Sequence, residues 1–163
     1  MNIDEIYDRF RWLSKGNLAG APHPDLFGGI KSLSALLRSQ GIGAIVTLCE
    51  EPLTDDPADF AFDHLNAPTP NLRSPRNLQE IITFIDNHNK MGTGVLVHCF
   101  AGIGRTGTAL TAWLLSHNPG LSADDAIASI KKNYIPDYAQ DLFPEHQAQK
   151  EALEEFAAAR KQT

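Results

Sequence analysis

The stretch that decides the fold is Gly94-Val95-Leu96-Val97-His98-Cys99-Phe100-Ala101-Gly102-Ile103-Gly104-Arg105-Thr106-Gly107-Thr108. A short apolar run ends at His98 and Cys99, glycines punctuate the next residues, and a strongly apolar segment begins after Arg105. This order predicts a buried strand, a tight loop and a buried helix, with a cysteine as the first loop residue. A chain that curls from strand into helix over 99–105 can aim its backbone N–H groups at one point. The helix N-terminus adds partial positive charge there, and Gly102 and Gly104 permit the turns that such a nest needs. Arg105 can fold back and grip two oxygens of a dianion with its planar fork. The phosphate-binding residues predicted in this way are Cys99, Phe100, Ala101, Gly102, Ile103, Gly104 and Arg105. The same field favours the thiolate form of a cysteine at the floor of the cradle, and the thiolate is the nucleophile. The residues thus point to thiolate attack on phosphate esters. The Thr106 hydroxyl can donate to the sulfur when it leaves, and His98 orients the loop by hydrogen bonding.

Outward from this stretch, the chain alternates between strand and helix signals. Residues 2–13 hold a short amphipathic piece, and Leu18–Ala21 a brief strand stopped by Pro22 and Pro24. Residues 29–39 place Ile30, Leu33, Leu36 and Leu37 on one helical face, with Gly41 as the stop. Ala44–Cys49 is a nearly continuous β-branched strand, and Phe60–Leu65 alternates as a further strand. Ser74 is predicted to cap a helix with Pro75 at its first position and Leu78, Ile81, Ile82 and Ile85 as its buried stripe. Ser122 is predicted to cap another helix, residues 133–143 to form a loop, and a last helix to start near Pro144. The pattern predicts an α/β domain, its central, mainly parallel sheet of about four to five strands flanked by helices, over residues 1–163. Sites in such sheets lie beyond the carboxyl ends of the strands, where Cys99 falls and where the strands ending at Cys49 and Leu65 should also open.

Composition narrows the partners. The 163 residues are 42 % hydrophobic and 21 % charged, an ordinary globular balance, with a formal net charge of -6. That charge argues against nucleic acid and anionic membranes as partners. No apolar run nears the roughly 20 residues of a membrane span. Asp4, Glu5 and Asp8 near the N-terminus do not fit a secretory signal. The two cysteines, Cys49 and Cys99, form no C-x-x-C pair, and His23, His64, His88, His117 and His146 show no ligand spacing. No metal and no cofactor are expected, the location should be cytoplasmic, and a monomer is expected.

His98-Cys99-x-x-Gly102-x-x-Arg105-Thr106-Gly107 resembles the signature of the cysteine-based protein tyrosine phosphatase superfamily. In its full form it looks most like the dual-specificity branch, with its small atypical members and the related lipid phosphatases. Trp12-Leu13, Asn17–Gly20, Ile45–Glu50, the proline-bearing loop at 67–75 and the helices after Arg105 follow in family order, so residues 12–132 are covered well. The resemblance implies a phosphatase fold and a two-step reaction. Cys99 attacks phosphorus to form a phosphocysteine while an Asp protonates the leaving alcohol; water then hydrolyses the phosphocysteine, with Arg105 clamping the phosphoryl oxygens. It implies phosphotyrosine or phosphoserine/threonine proteins, or a small phosphate ester, as substrate, and phosphate, vanadate or sulfate as ligands.

The sequence departs from the family at one point. Matching Pro68 to the proline that precedes the family's acid puts Thr69 where the Asp belongs. The acid then comes from Glu50, Glu51, Asp55, Asp56, Asp63, Asp137 or Asp141, or the protein is a slow small-ester phosphatase or a phosphate-binding pseudophosphatase. A rhodanese-like sulfurtransferase also uses a cysteine loop after a strand, but its loop is usually shorter and lacks Arg-Thr-Gly. Ile45–Glu50 looks like the segment of the lipid phosphatases that carries a backdoor cysteine. By itself Cys49 reads as a buried core thiol; the resemblance implies instead a redox partner that protects Cys99 through a reversible disulfide. Gln149 either matches the glutamine that positions the hydrolytic water in some relatives or is a surface glutamine. Phe100 and Ile103 should make the outer side of the loop apolar, where lipid phosphatases of the family often carry lysines, which argues against highly phosphorylated inositides. Arg73 and Arg76 could recruit an acidic substrate, or simply start a helix at the surface.

Overall fold

The computed structural model describes residues 2–144 and 146–161. Five strands form one sheet in the order β1-β2-β5-β3-β4, with β1 Arg11–Ser14, β2 Leu18–Ala21, β3 Ile42–Thr47, β4 Asp63–Asn66 and β5 Gly94–His98. All pairings are parallel except β1 with β2. Every residue of the central strand β5 is buried, as a continuous apolar strand covered on both faces requires.

Alternate side chains of the strands feed two cores. On one face Val46, Val95 and Val97 meet α3 (Leu78–Lys90), α4 (Gly104–His117), α5 (Ala123–Asn133) and α6 (Gln147–Lys161) through Ile81, Ile85, Leu110, Ile130 and Leu153. On the other face Ala19, Ile45 and Leu96 pack with Ile30, Leu33 and Leu37 of α2 (Gly29–Ser39), and with Ile3 of the short α1 (Ile3–Ile6) and Tyr7. Helix α4 is buried nearly all round because it lies between the sheet and the other helices.

Several element ends differ from those expected. β3 starts at Ile42 and stops at Thr47; Leu48 and Cys49 leave the sheet, although Leu48 N–H still donates to the His98 carbonyl at 2.9 Å. β4 is Asp63–Asn66 and not Phe60–Leu65, because Asp56 caps a 3-10 turn over Pro57–Phe60 that Ala61 closes in the left-handed region. Helix α3 begins at Leu78 and not at Pro75. The Ser74 hydroxyl donates to the Pro75 carbonyl, whereas the Asn77 side chain caps the helix by accepting from Glu80 N–H at 3.2 Å and is held there by donating its amide to the Glu80 carboxylate at 2.8 Å. The 133–143 segment contains a 3-10 turn, Asp137–Leu142, and the last helix starts at Gln147.

Register puts the site in one row. Ala21 and Thr47 both pair with His98, and Asn66 pairs with Thr47. The carboxyl ends of four parallel strands therefore finish together, and the loops after them share one edge.

Candidate active site

Six consecutive carbonyls of the 99–104 segment accept a hydrogen bond. His98 Nδ1 lies 3.1 Å from the Cys99 oxygen, and His23 N–H donates to Phe100 at 2.9 Å. Arg9 Nη1 donates to Ala101 at 2.6 Å, and the Tyr134 hydroxyl donates to Gly102 at 2.6 Å. Gly107 N–H bonds Ile103 at 2.7 Å, and Thr108 Oγ1 bonds Gly104 at 2.7 Å. In a trans peptide the N–H points opposite to the carbonyl. Holding these carbonyls turns the N–H groups of residues 100–105 to the other side. Gly102 N–H donates to Cys99 Sγ at 3.2 Å, so the sulfur lies within reach of that amide side.

The fold supports this loop from below. Gly102 sits at φ +74°, and a Cβ there would come within 2.6 Å of the Ala21 carbonyl carbon, so only glycine fits. Gly20 leaves room for the Tyr134 ring, whose atoms would lie 2.5–2.7 Å from a Cβ. Burial pushes the Tyr134 pKa upward and keeps its hydroxyl a donor to the loop. Sequence reasoning did not single out Arg9, Tyr134 or Thr47 as supports, because their partners lie far away in the chain.

Cys99, His98, Arg105 and Thr106 are all buried and fall together at the end of β5 and the start of α4. The Thr106 hydroxyl has no hydrogen-bond partner among the described residues. Burial pulls the His98 pKa down to about 3, so the ring is neutral. His98 Nε2 meets Thr47 Oγ1 at 2.8 Å, and Thr47 Oγ1 meets His64 Nε2 at 2.8 Å. Ile103 is buried in the core, and only Phe100 presents an apolar outer side, 44 % exposed. Ile103 points inward because it precedes the first turn of the buried helix α4.

Thr69 lies beside this group. It is 4 % exposed, and its carbonyl accepts from Arg105 Nη1 at 2.9 Å. Of the seven candidate acids, Glu51 comes nearest Arg105: Oε2 is 4.0 Å from Nη1. Asp55 accepts from Lys31 N–H at 3.0 Å, Asp56 caps its 3-10 turn, and Asp63 pairs with His88 at 2.8 Å. Glu50, Asp137 and Asp141 are exposed. Asp25, which the sequence did not suggest, latches the acidic loop by accepting from Thr54 N–H and Oγ1, both at 3.0 Å.

Two cavities flank the site. One of about 520 Å³ is lined by Cys49, Glu50, Glu51, Asp55, Asp56 and His64. The other, of about 490 Å³, is lined by Thr69, Pro70, Arg73, Ser74, Arg76 and Asn77. Arg73 and Arg76 therefore belong to the loop that carries Thr69 and not to the start of a helix. Gln149 is wholly buried and donates to the Arg73 carbonyl at 3.3 Å. Cys49 is buried in the same core as Cys99, and burial, then the charge of Cys99, push its pKa up to about 12. Among the described residues no group of three or more His, Cys, Asp or Glu side chains could hold a metal ion, and no helix is long and apolar enough to cross a membrane.

The family described as "Polymorphic toxin system, DSP-PTPase phosphatase" matches residues 19–119. Phosphatidylglycerophosphate phosphatase PTPMT2 of Arabidopsis thaliana is 26 % identical over 130 residues, 74 % of this chain and 53 % of that protein. Human dual specificity protein phosphatase 15 is 32 % identical over 120 residues, 69 % of this chain and 39 % of that protein. The chain thus spans about half or less of the length of these two relatives. The crystal structure of Tk-PTP in the active form superposes with a TM-score of 0.75 at 26 % identity, covering 93 % of this chain and 97 % of that one.

Proposed function

Because the chain belongs to the polymorphic-toxin-system DSP-PTPase phosphatases, relatives of the dual-specificity phosphatases, we propose that residues 1–163 act as one phosphatase domain that cleaves phosphomonoesters through a phosphocysteine at Cys99. The observation that carries this reading is the run of six bonded carbonyls, which supports an amide cradle beside the Cys99 sulfur. The thiolate attacks phosphorus in line, and an S–P bond forms as the P–O bond breaks. The amides of 100–105 and the Arg105 guanidinium hold the charge that develops on the equatorial oxygens. Glu51, the candidate acid nearest Arg105, gives its proton to the leaving alkoxide. In the second step water attacks phosphorus, its proton passes to Glu51, and the thiolate leaves against Gly102 N–H and the unpartnered Thr106 hydroxyl.

Release of p-nitrophenol from its phosphate, inhibited by vanadate and abolished in Cys99→Ser, is the test. Vanadate binding without turnover would assign a phosphate-binding pseudophosphatase instead. The primary substrate reading is a phosphotyrosine or phosphoserine/threonine protein.

A second reading is favoured by the cavity beside Thr69, which Arg73 and Arg76 line with no ion pair to either guanidinium among the described residues. A substrate that carries a second anionic group next to its phosphomonoester would fill that cavity, and the PTPMT2 relative is a phosphatidylglycerophosphate phosphatase. Arg73→Ala with Arg76→Ala should raise KM for phosphatidylglycerophosphate and leave p-nitrophenyl phosphate turnover unchanged. Equal effects on both substrates would return the choice to phosphoproteins.

A further inference from the structure

Three side chains behind the loop, on three adjacent strands, form one hydrogen-bonded row. His64 is on β4, Thr47 on β3 and His98 on β5, and the row ends at the Cys99 carbonyl. Donor counting gives the row a direction. A carbonyl oxygen only accepts, so the hydrogen between His98 and Cys99 sits on His98 Nδ1. His98 is wholly buried and neutral, so it carries one hydrogen, and its Nε2 is a bare acceptor. The Thr47 hydroxyl, 2.8 Å from Nε2, has a single hydrogen and gives it to His98. Its oxygen can then only accept from His64 Nε2 at 2.8 Å, so His64 carries a hydrogen on Nε2. The opposite direction would leave His98 Nδ1 and the Cys99 oxygen facing each other with lone pairs alone at 3.1 Å, in a buried place where an unmade bond is expensive.

We propose that Thr47 and His64 are positioning residues that fix the tautomer of His98 and, through it, the orientation of the Cys99–Phe100 peptide in the phosphate cradle. The proposal rests on the phosphatase reading of that loop. Turning the Cys99 carbonyl toward His98 turns the Phe100 N–H the other way. That N–H is the first of the amides that the cradle uses. The hydrogen on His98 Nδ1 is therefore a condition for the floor of the site.

The row also tolerates a change of charge at its outer end. His64 is half-buried at the acidic cavity. Burial lowers its pKa, whereas Asp56 and Asp63 raise it. Glu50, Glu51 and Asp55 line the same cavity, and Thr47 and His98 face His64 from the sheet side. Protonating His64 adds a hydrogen at Nδ1 and leaves the Nε2 hydrogen in place. The direction of the row is the same before and after His64 titrates.

Long-range proton–nitrogen NMR of the uniformly ¹⁵N-labelled full chain tests this without any substrate. The expected spectrum has His98 protonated at Nδ1 on both sides of the His64 titration. A hydrogen on His98 Nε2 at any pH in that range overturns the proposal. Thr47→Val removes the donor, and Thr47→Ser keeps it. The valine variant should shift His98 toward the Nε2-protonated tautomer and lower kcat for p-nitrophenyl phosphate about tenfold, and serine should restore both. His64→Gln keeps an N–H donor and should outperform His64→Leu in the same two readouts. A Thr47→Val protein with an unchanged His98 tautomer and unchanged kcat overturns the proposal, as does a serine variant as impaired as valine. If Thr47→Val fails to fold, the wild-type tautomer alone decides. Nδ1 protonation in a wild type that hydrolyses no phosphate ester would overturn the phosphatase reading and leave the tautomer assignment standing.

Discussion

Arg105 is tied to Thr69 through the backbone and not through the side chain: Nη1 donates to the Thr69 carbonyl at 2.9 Å, while the Thr69 hydroxyl donates to the Ala67 carbonyl at 3.0 Å. The position of the Arg105 guanidinium therefore depends on the path of the loop at residue 69, not on the identity of its side chain. Thr69→Val should cost about 1 kcal/mol of stability for the lost hydroxyl bond and leave kcat for p-nitrophenyl phosphate unchanged. Thr69→Asp places a carboxylate where relatives of the resembled family keep their acid. It should raise turnover of alkyl phosphates, whose leaving groups need a proton. Urea melts and steady-state rates on the two substrates check both. A valine variant with a large loss of kcat would assign the hydroxyl a direct part in the reaction.

Glu51 is the candidate acid that comes within 4.0 Å of Arg105. If it delivers the proton, Glu51→Gln should lower kcat about 10²–10⁴-fold on alkyl phosphates and far less on p-nitrophenyl phosphate, whose leaving group is a weak base. The first step needs a protonated acid, so a fall of wild-type kcat at high pH is the expected signature of one, and that basic limb should disappear in the glutamine variant. Asp56→Asn and Asp63→Asn, whose carboxylates cap a turn and pair with His88, should keep the limb. A limb that persists in Glu51→Gln sinks the assignment.

Much of this site is legible from local sequence, and the illegible part has a definite cause. The sequence predicts a strand that ends at His98 and a buried helix after the loop, and Gly94–His98 and Gly104–His117 form them, because a continuous apolar run and a run of helix-compatible apolar residues leave few alternatives. Leu78, Ile81, Ile82 and Ile85 are readable as a buried stripe, yet their helix starts at Leu78 and not at Pro75. Two capping signals compete there: Asn77 accepts from the Glu80 N–H of the first turn and so caps the helix, whereas the Ser74 hydroxyl donates to the Pro75 carbonyl and caps nothing. The mismatch at Thr69 was visible, but the approach of Glu51 to Arg105 was not. That approach depends on how the 50–57 loop folds back, which the Asp25–Thr54 latch sets across 29 positions of sequence. Two partners of the loop carbonyls are equally remote: Arg9 reaches Ala101 across 92 positions and Tyr134 reaches Gly102 across 32.

His98 makes stability depend on acid. Its folded pKa is depressed from 6.5 to about 3 by burial, so the unfolded chain takes up the proton first. The stabilisation is complete above pH 6.5 and is lost as pH falls toward 3, at about 1.4 kcal/mol per pH unit. His64, also depressed by burial, acts in the same direction. His98→Gln should be less stable than wild type at pH 8, where the buried row of hydrogen bonds is intact, and the gap should narrow as pH falls. Urea midpoints between pH 4 and 8 check this. A gap that stays constant over that range would mean that His98 is not buried neutral.

Cys49 and Cys99 are both free thiols, and both belong to the core on the α3–α6 side of the sheet. Cys49 Sγ–H points to the Glu51 carbonyl at 3.5 Å, and its pKa is pushed up to about 12, first by burial and then by the charge of Cys99. In the resting protein Cys49 should therefore resist alkylation at pH 8. Peroxide changes the pair. The Cys99 sulfur, as the proposed nucleophile, would take one oxygen from the peroxide to become a sulfenic acid, which would leave no negative charge there to raise Cys49. The Cys49 sulfur can then attack the Cys99 sulfur; an S–S bond forms, the S–O bond breaks, and the hydroxyl leaves as water with the Cys49 proton. Closure should quicken as pH rises, since the thiolate of Cys49 is the attacking form. Peptide mapping after a peroxide pulse should find a Cys49–Cys99 link, and a dithiol should restore activity. In Cys49→Ser the same pulse should carry Cys99 on to sulfinic acid, with activity beyond recovery. Sulfinic acid at Cys99 of the wild type with no link to Cys49 would overturn the pairing.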